Sequence, residues 1–213
     1  YYNIYGGEIE GKRVIIQGWG NVAATAAYYL AQAGANIVGI IDKNGGLINK
    51  DGFSFDKISE LLKNRKSNFL NDSEVQSFTT INQNIWKVGA EIFIPAAASR
   101  LVTDEQLDNM IKNNLEVISA GANVPFADKE IFFGPIAKKA DDKISVIPDF
   151  ISNCGMARTF SYLMEENIEM NDFAIFDAVS KTIKVALEKA YKINNTKTNL
   201  AKTAFEIALN KLK

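Results

Sequence analysis

Histidine is absent from all 213 residues. That removes Ser-His-Asp and Cys-His catalysis, imidazole general bases and most zinc and iron sites, so no metal centre is expected. Cysteine occurs once, at Cys154, so no disulfide can close within the chain and a reducing, cytoplasmic setting is expected. Neither sign of charge is in excess: 24 Lys+Arg stand against 25 Asp+Glu, a net charge of −1. Without a basic surplus there is little to neutralise a phosphate backbone, which argues against a nucleic-acid partner. Long apolar runs are missing too. The most apolar stretch, 22–31, is short and alanine-rich, so no membrane partner is expected. No charged-then-apolar leader pattern is read at the start. Glycine (14) and proline (4) are too scarce for a linker-rich polypeptide.

What is present suits a packed globular core, with 47% hydrophobic and 23% charged residues. Short apolar runs alternate with helical patterns. Strands are expected at 13–17, 36–41, 90–94, 116–119 and 145–147, and their unbroken hydrophobicity is how strands buried on both faces read. Helices are expected at 21–33, 55–66, 103–113 and 128–139. This alternation predicts an α/β fold with a mostly parallel sheet and helices on both faces. The turn-rich segment 44–52 reads as a surface hairpin or loop. After Pro148 only helices are expected, at 154–166, 173–191 and 198–213. Ile175, Val179, Ile183 and Leu187 recur every fourth residue. That stripe faces either this chain's own sheet or another domain, and both readings stand open.

The strongest local signal is Gly18-Trp19-Gly20-Asn21-Val22-Ala23, a G-x-G-x-x-A pattern between a strand and a helix. The first glycine permits the tight turn, the second lets backbone approach a pyrophosphate, and the alanine keeps helix and strand close. The helix N-terminus then faces the phosphates with free N–H groups. Asp42 ends the second strand 19 residues after Ala23, where a dinucleotide site places an acid on the adenosine ribose. Its other reading is the start of a turn through Lys43-Asn44-Gly45. A carboxylate there disfavours a 2′-phosphate, so NAD is the expected cofactor. The adjacent Lys43 leaves NADP possible. Together these features predict a Rossmann-type, doubly wound NAD(P)-binding domain over 1–213, with sheet and crossover helices in 1–153 and an all-helical tail in 154–213. Its start at Tyr1 reads as a cut from a longer enzyme.

Gln17-Gly18-Trp19-Gly20-Asn21-Val22 resembles the Gly-Phe-Gly-Asn-Val motif of glutamate dehydrogenases, within the Glu/Leu/Phe/Val dehydrogenase superfamily. Gly46-Leu47-Ile48 and Asp51-Gly52, Pro95-Ala96-Ala97, Gly121-Ala122-Asn123 with Pro125, and Pro148-Asp149-Phe150 with Asn153-Cys154-Gly155 resemble further motifs of that family, in order and nearly throughout. The resemblance implies that Gly18, Trp19, Gly20, Asn21 and Val22 form the pyrophosphate turn, with Asp42 and Lys43 at the adenosine end. It implies that Ala96 and Ala97 line the coenzyme crevice, that Asn123 reaches the nicotinamide ribose, and that Asn153 reaches the carboxamide. On the residues alone, Asn123 also suits an Asx turn before Pro125, and Asn153 suits a cap for the helix beginning at Cys154. Cys154 itself reads as a small buried residue.

The chain departs from the family at Ser99, Arg100, Ala120, Met156 and Phe160, all on the substrate side of the pattern. The family's acid–base lysine and aspartate belong to an N-terminal substrate domain. Neither glycine pair here, Gly6-Gly7 or Gly45-Gly46, precedes such a lysine, so no catalytic residue is expected in this chain. The implied function is the coenzyme-binding domain of an amino acid dehydrogenase that performs reversible oxidative deamination. Its amino acid or 2-oxo acid substrate would be held by a missing N-terminal domain, and the parent would be a homo-oligomer. Two alternatives stand beside it: a stand-alone NAD-binding regulatory module without catalysis, and another Rossmann enzyme such as an S-adenosylmethionine user.

Overall fold

The unbroken apolar runs become buried parallel strands of one sheet. The structure, a computed structural model, describes residues 1–211. A short helix α1 (Tyr2–Tyr5) leads into β1 (Arg13–Gln17), α2 (Asn21–Gln32) and β2 (Asn36–Asp42). Next come β3 (Gly45–Ile48), α3 (Phe55–Lys63), the two-residue β4 (Gln76–Ser77) and α4 (Phe78–Asn84), which runs on through a 3-10 turn at Ile85–Lys87. The second half contains β5 (Ile92–Pro95), α5 (Asp104–Lys112), β6 (Val117–Ser119), α6 (Pro135–Lys143) and β7 (Ser145–Ile147). It closes with α7 (Asp149–Ser152), α8 (Gly155–Leu163), α9 (Asp172–Ile193) and α10 (Leu200–Asn210).

The strand order is β4-β3-β2-β1-β5-β6-β7. All neighbours from β2 to β7 are parallel, while β3 and β4 extend the β2 edge antiparallel. The chain builds outward from β1 to β4, then returns to lay β5 on the other side of β1. The switch of direction therefore lies between β1 and β5. Alternate residues of each strand feed two apolar layers. Val14, Ile16, Ile94 and Ile147 pack towards α2, α9 and α10. Ile15, Phe93, Ile118 and Val146 pack towards α5, α6 and Trp86. The sheet is thus doubly wound, with helices on both faces.

Several boundaries differ from the sequence expectation, each for a local reason. The helix expected at 128–139 begins at Pro135. The Asp128 carboxylate accepts the N–H groups of Ile136 and Ala137, both at 2.9 Å, so the cap comes from a residue looped back from upstream. The helix expected at 55–66 stops at Lys63. Segment 44–52 does enter a hairpin, β2 with β3, but not a surface one beyond its tip, because β3 joins the sheet with Gly45, Gly46 and Leu47 buried. A Cβ on Gly46 would stand 2.2 Å from the Ile40 carbonyl oxygen, so only glycine lets β3 lie this close. Helices α1, α4 and α7 and strand β4 were not foreseen. The helix expected at 198–213 is seen at 200–210, and positions 212–213 lie outside the described residues.

The C-terminal half of the α9 stripe meets this chain's own sheet. Leu187 and Ala190 are buried against the sheet layer and Ile183 packs beside them. Ile175 and Val179 are half-buried, Val179 facing Gly155 of α8, and Phe173, two residues before Ile175, is 80% exposed.

Candidate functional site

Three chain segments meet where the strand order reverses: the β1–α2 turn, the residues after β5 and those after β6. Gly18 opens the first with φ +102°, a backbone state that L side chains rarely adopt. Its N–H donates to the Ile41 carbonyl at 2.6 Å, and a Cβ there would lie 2.7 Å from the Ala96 carbonyl oxygen. Gly18 therefore seats the turn against β5. Gly20 is different. A Cβ on it would meet only Asn68 Cβ, at 3.9 Å, so the space above it is open. Gly20 precedes α2, whose N-terminus has no capping side chain and no acid in its first turn. Its first N–H groups are thus left for an external acceptor. Trp19, between the glycines, is 1% exposed, and its indole N–H donates to the Leu61 carbonyl at 3.2 Å, tying the turn to the end of α3.

A cleft of about 430 Å³ opens beside this turn at the C-terminal ends of β1, β2 and β5. Gln17, Gly18, Gly20, Asp42, Lys43, Ala96 and Ala97 line it, together with Phe69, Phe78, Trp86 and Leu101. The expected adenosine-end residues are therefore in one place. Asp42 is buried, and its carboxylate is already well occupied. Oδ1 accepts the N–H groups of Asn44 (2.8 Å) and Gly45 (3.2 Å), and Oδ2 accepts that of Leu70 (2.6 Å). The turn reading of Asp42 thus holds for one oxygen, while the other pins a segment 28 residues further along the chain. The Lys43 ammonium lies 4.2 Å from the centre of the Phe69 ring.

At the other end, Ala96, Gly121 and Val22 meet. A Cβ on Gly121 would stand 2.8 Å from Ala96 Cβ and 3.2 Å from Val22 Cγ1, so glycine brings the β6 end against the β1–α2 turn. Asn153 Nδ2 donates to Asn123 Oδ1 at 2.9 Å. Neither of the local roles open for these residues is seen. Asn153 does not cap α8, which has no side-chain cap, and the Asn123 carbonyl takes an amide rather than forming an Asx turn. Each residue keeps one amide group, the Asn123 Nδ2 donor and the Asn153 Oδ1 acceptor, with no other protein partner among the described residues. Cys154 is half-buried, and burial pushes its thiol above the ordinary value, which removes it as a ready nucleophile. Arg100 turns away to the Asp128 carbonyl.

Two other hollows fit a dinucleotide less well. One beneath Phe132 and Phe133 is about 70 Å³, too small for the ligand. A groove of about 910 Å³ between α8, α9 and α10 is roomy but has no glycine turn.

The model of the Glutamate/Leucine/Phenylalanine/Valine dehydrogenase family matches residues 1–213. The chain belongs to this family. It is 35% identical over 158 residues to the NADP-specific glutamate dehydrogenase of Saccharolobus shibatae, covering 72% of this chain and 34% of that protein. It is 25% identical over 210 residues to the cryptic catabolic NAD-specific glutamate dehydrogenase GudB of Bacillus subtilis, covering 96% and 46%. Among solved structures, the hetero-hexameric glutamate dehydrogenase of Thermus thermophilus superposes with a TM-score of 0.73 at 18% identity, covering 99% of this chain and 48% of that one. The chain thus spans a third to a half of the length of these family members.

Beyond the expected residues, the site includes the segment from Arg65 to Leu70, which crosses the glycine turn, and the aromatic lining from Phe69, Phe78 and Trp86. The signal for that segment is the Ser67-Asn68 pair, a turn dipeptide directly after the helix expected at 55–66.

Proposed function

We propose that this chain is the coenzyme-binding part of an NAD(P)-dependent amino acid dehydrogenase of glutamate dehydrogenase type. The observation that carries this reading is the contrast at the β1–α2 turn: Gly18 is filled in by β5 while Gly20 faces open space at an uncapped helix start. A dinucleotide fits that arrangement. Its pyrophosphate would take the N–H groups at the start of α2 over Gly20. Its adenosine would enter the cleft walled by Phe69, Phe78 and Leu101, with Asp42 and Lys43 at the ribose. The free donor and acceptor of the Asn123–Asn153 pair match the two groups of a carboxamide, which would hold the nicotinamide end beside Ala96, Ala97 and Val22. When bound, the nicotinamide supplies the hydride acceptor for oxidation of an amino acid.

In this reading the chain binds and orients the coenzyme, and another part of the enzyme supplies the acid–base groups and the substrate pocket. The printed names of the relatives, one NADP-specific and one NAD-specific, support a nicotinamide dinucleotide without choosing between the two. The test is calorimetry of the 213-residue chain with NAD, NADH and NADP. Binding is expected, and Gly20→Val is expected to weaken it by about tenfold or more, because a branched side chain takes the phosphate's place. No binding of any of the three would overturn the proposal.

A further inference from the structure

The segment that crosses the glycine turn is a built hairpin. Ser67 and Asn68 both hold positive φ, +48° and +70°, the signature of a type I′ turn. Lys66 and Phe69 close it by exchanging backbone hydrogen bonds, at 2.9 and 3.3 Å. The hairpin is fixed at its base. Leu70 N–H donates to Asp42 Oδ2 at 2.6 Å, and Lys57 binds Asp72 at 2.7 Å. Its tip faces the turn: Asn68 Cβ is the one atom within 4 Å of a Cβ placed on Gly20, and Arg65 Nη1 donates to Asn21 Oδ1 at 3.0 Å.

Arg65 is unlike the other three arginines of the chain. Arg13 donates to the carbonyls of Gly89, Lys50 and Val88. Arg100 is held by a carbonyl, and Arg158 is paired with the Glu165 carboxylate at 2.7 Å. The single hydrogen bond of Arg65 goes to a neutral, exposed side-chain amide on the first residue of α2. A planar guanidinium so placed would gain by taking phosphate oxygens instead, because two opposite charges joined through a bidentate fork hold more strongly than one guanidinium N–H on a single neutral amide oxygen.

We infer that Arg65 is a phosphate-binding residue of the coenzyme crevice, delivered by the 64–71 hairpin, and that Asp42 serves as a positioning residue by anchoring that hairpin through Leu70. The inference rests on the coenzyme reading above. It adds a cation to a glycine turn that otherwise has only backbone N–H groups. It also gives Asp42 a task distinct from touching the ribose.

The experiment is calorimetry with NAD, ADP and adenosine as separate probes, on the whole chain and on Arg65→Ala, Arg65→Lys, Asp42→Asn and the Arg65→Ala/Asp42→Asn double variant. Thermal melting controls for folding. Arg65→Ala is expected to weaken NAD and ADP by about tenfold or more and to leave adenosine within about twofold. Arg65→Lys should recover part of that loss, and raised salt should narrow the difference between wild type and Arg65→Ala. Asp42→Asn should weaken ADP in the wild-type background and much less in the Arg65→Ala background, because the two act through one hairpin. Unchanged ADP and NAD affinity in Arg65→Ala overturns the inference, as does an equal loss for adenosine. Additive losses overturn the role given to Asp42. If the wild-type chain binds adenosine but no dinucleotide or ADP, the coenzyme reading falls, and this inference falls with it.

Discussion

Gly18 and Gly20 stand two residues apart, and substitution should separate their roles cleanly. Alanine at Gly18 puts a methyl 2.7 Å from the Ala96 carbonyl oxygen in a backbone state with φ +102°. Strain and overpacking together should cost about 2–5 kcal/mol, read as a lowered midpoint in urea. Valine at Gly20 meets open space, so its urea midpoint should stay near wild type while NAD affinity collapses. If Gly18→Ala melts like wild type, the turn is looser than its contacts indicate. Asp42 sets a second expectation. Its charge disfavours a 2′-phosphate, but three N–H donors and the nearby Lys43 offset it, so NAD should be preferred over NADP by only about fivefold, near 1 kcal/mol. Equal affinities would show that the acid has no say in the choice. The glycines and Asp42 were legible in the sequence because their spacing encodes a backbone shape within one βαβ unit. The partner of Asp42 was not, since Leu70 lies 28 residues on, across a turn whose two positive-φ residues are neither glycine.

Among the elements, α10 shows how far a cap can travel. Its first turn is capped from α6: Asp141 accepts the N–H groups of Ala201 at 2.8 Å and Lys202 at 2.9 Å. Burial pushes the Asp141 carboxyl above its ordinary value, against the downward pull of those two N–H groups. A raised folded-state value means that the folded chain holds this proton where the unfolded chain has released it. The group's contribution to stability is therefore greatest at or below the ordinary carboxylate value and declines as pH rises through the raised one. Asp141→Asn does not titrate, so the melting temperature of wild type should gain on that variant as pH falls from 7 towards 4. A difference independent of pH would refute the assignment. Asp141→Ala, which also removes the acceptors, should cost about 1–3 kcal/mol more broadly. The interior strands and the helices α2, α5 and α9 were readable from periodicity and local caps, as with Thr103, which accepts from Gln106 in a capping box. The start of α6 was not, because its cap sits seven residues upstream at Asp128. The buried strand β3 was hidden by glycines that look like loop residues until their neighbours are known.

For the molecule as a whole, the sheet supplies one crevice and the tail supplies an apolar rim around α8 and the start of α9, where Met156, Phe160, Met164 and Phe173 are exposed. In the proposed reading, a second domain would close the crevice and orient the amino acid. Positioning of that kind is worth about 7–11 kcal/mol of barrier, so the 213-residue chain alone should form no NADH from glutamate, leucine, phenylalanine or valine. Steady turnover that survives repurification would show that acid–base groups are present in this chain after all. The two tryptophans have an optical consequence. Trp19 and Trp86 both border the crevice, both are at most 3% exposed, and each indole N–H is bonded, to Leu61 and Asn82. The chain's entire tryptophan emission therefore originates at the walls of this crevice. It should be blue-shifted and resistant to acrylamide. Reduced nicotinamide absorbs where indole emits, so NADH should quench it by energy transfer, and adenosine, which lacks that absorption, should not. A single cuvette titration then reads occupancy of the crevice directly, with Trp86→Phe leaving Trp19 as the lone reporter at the turn.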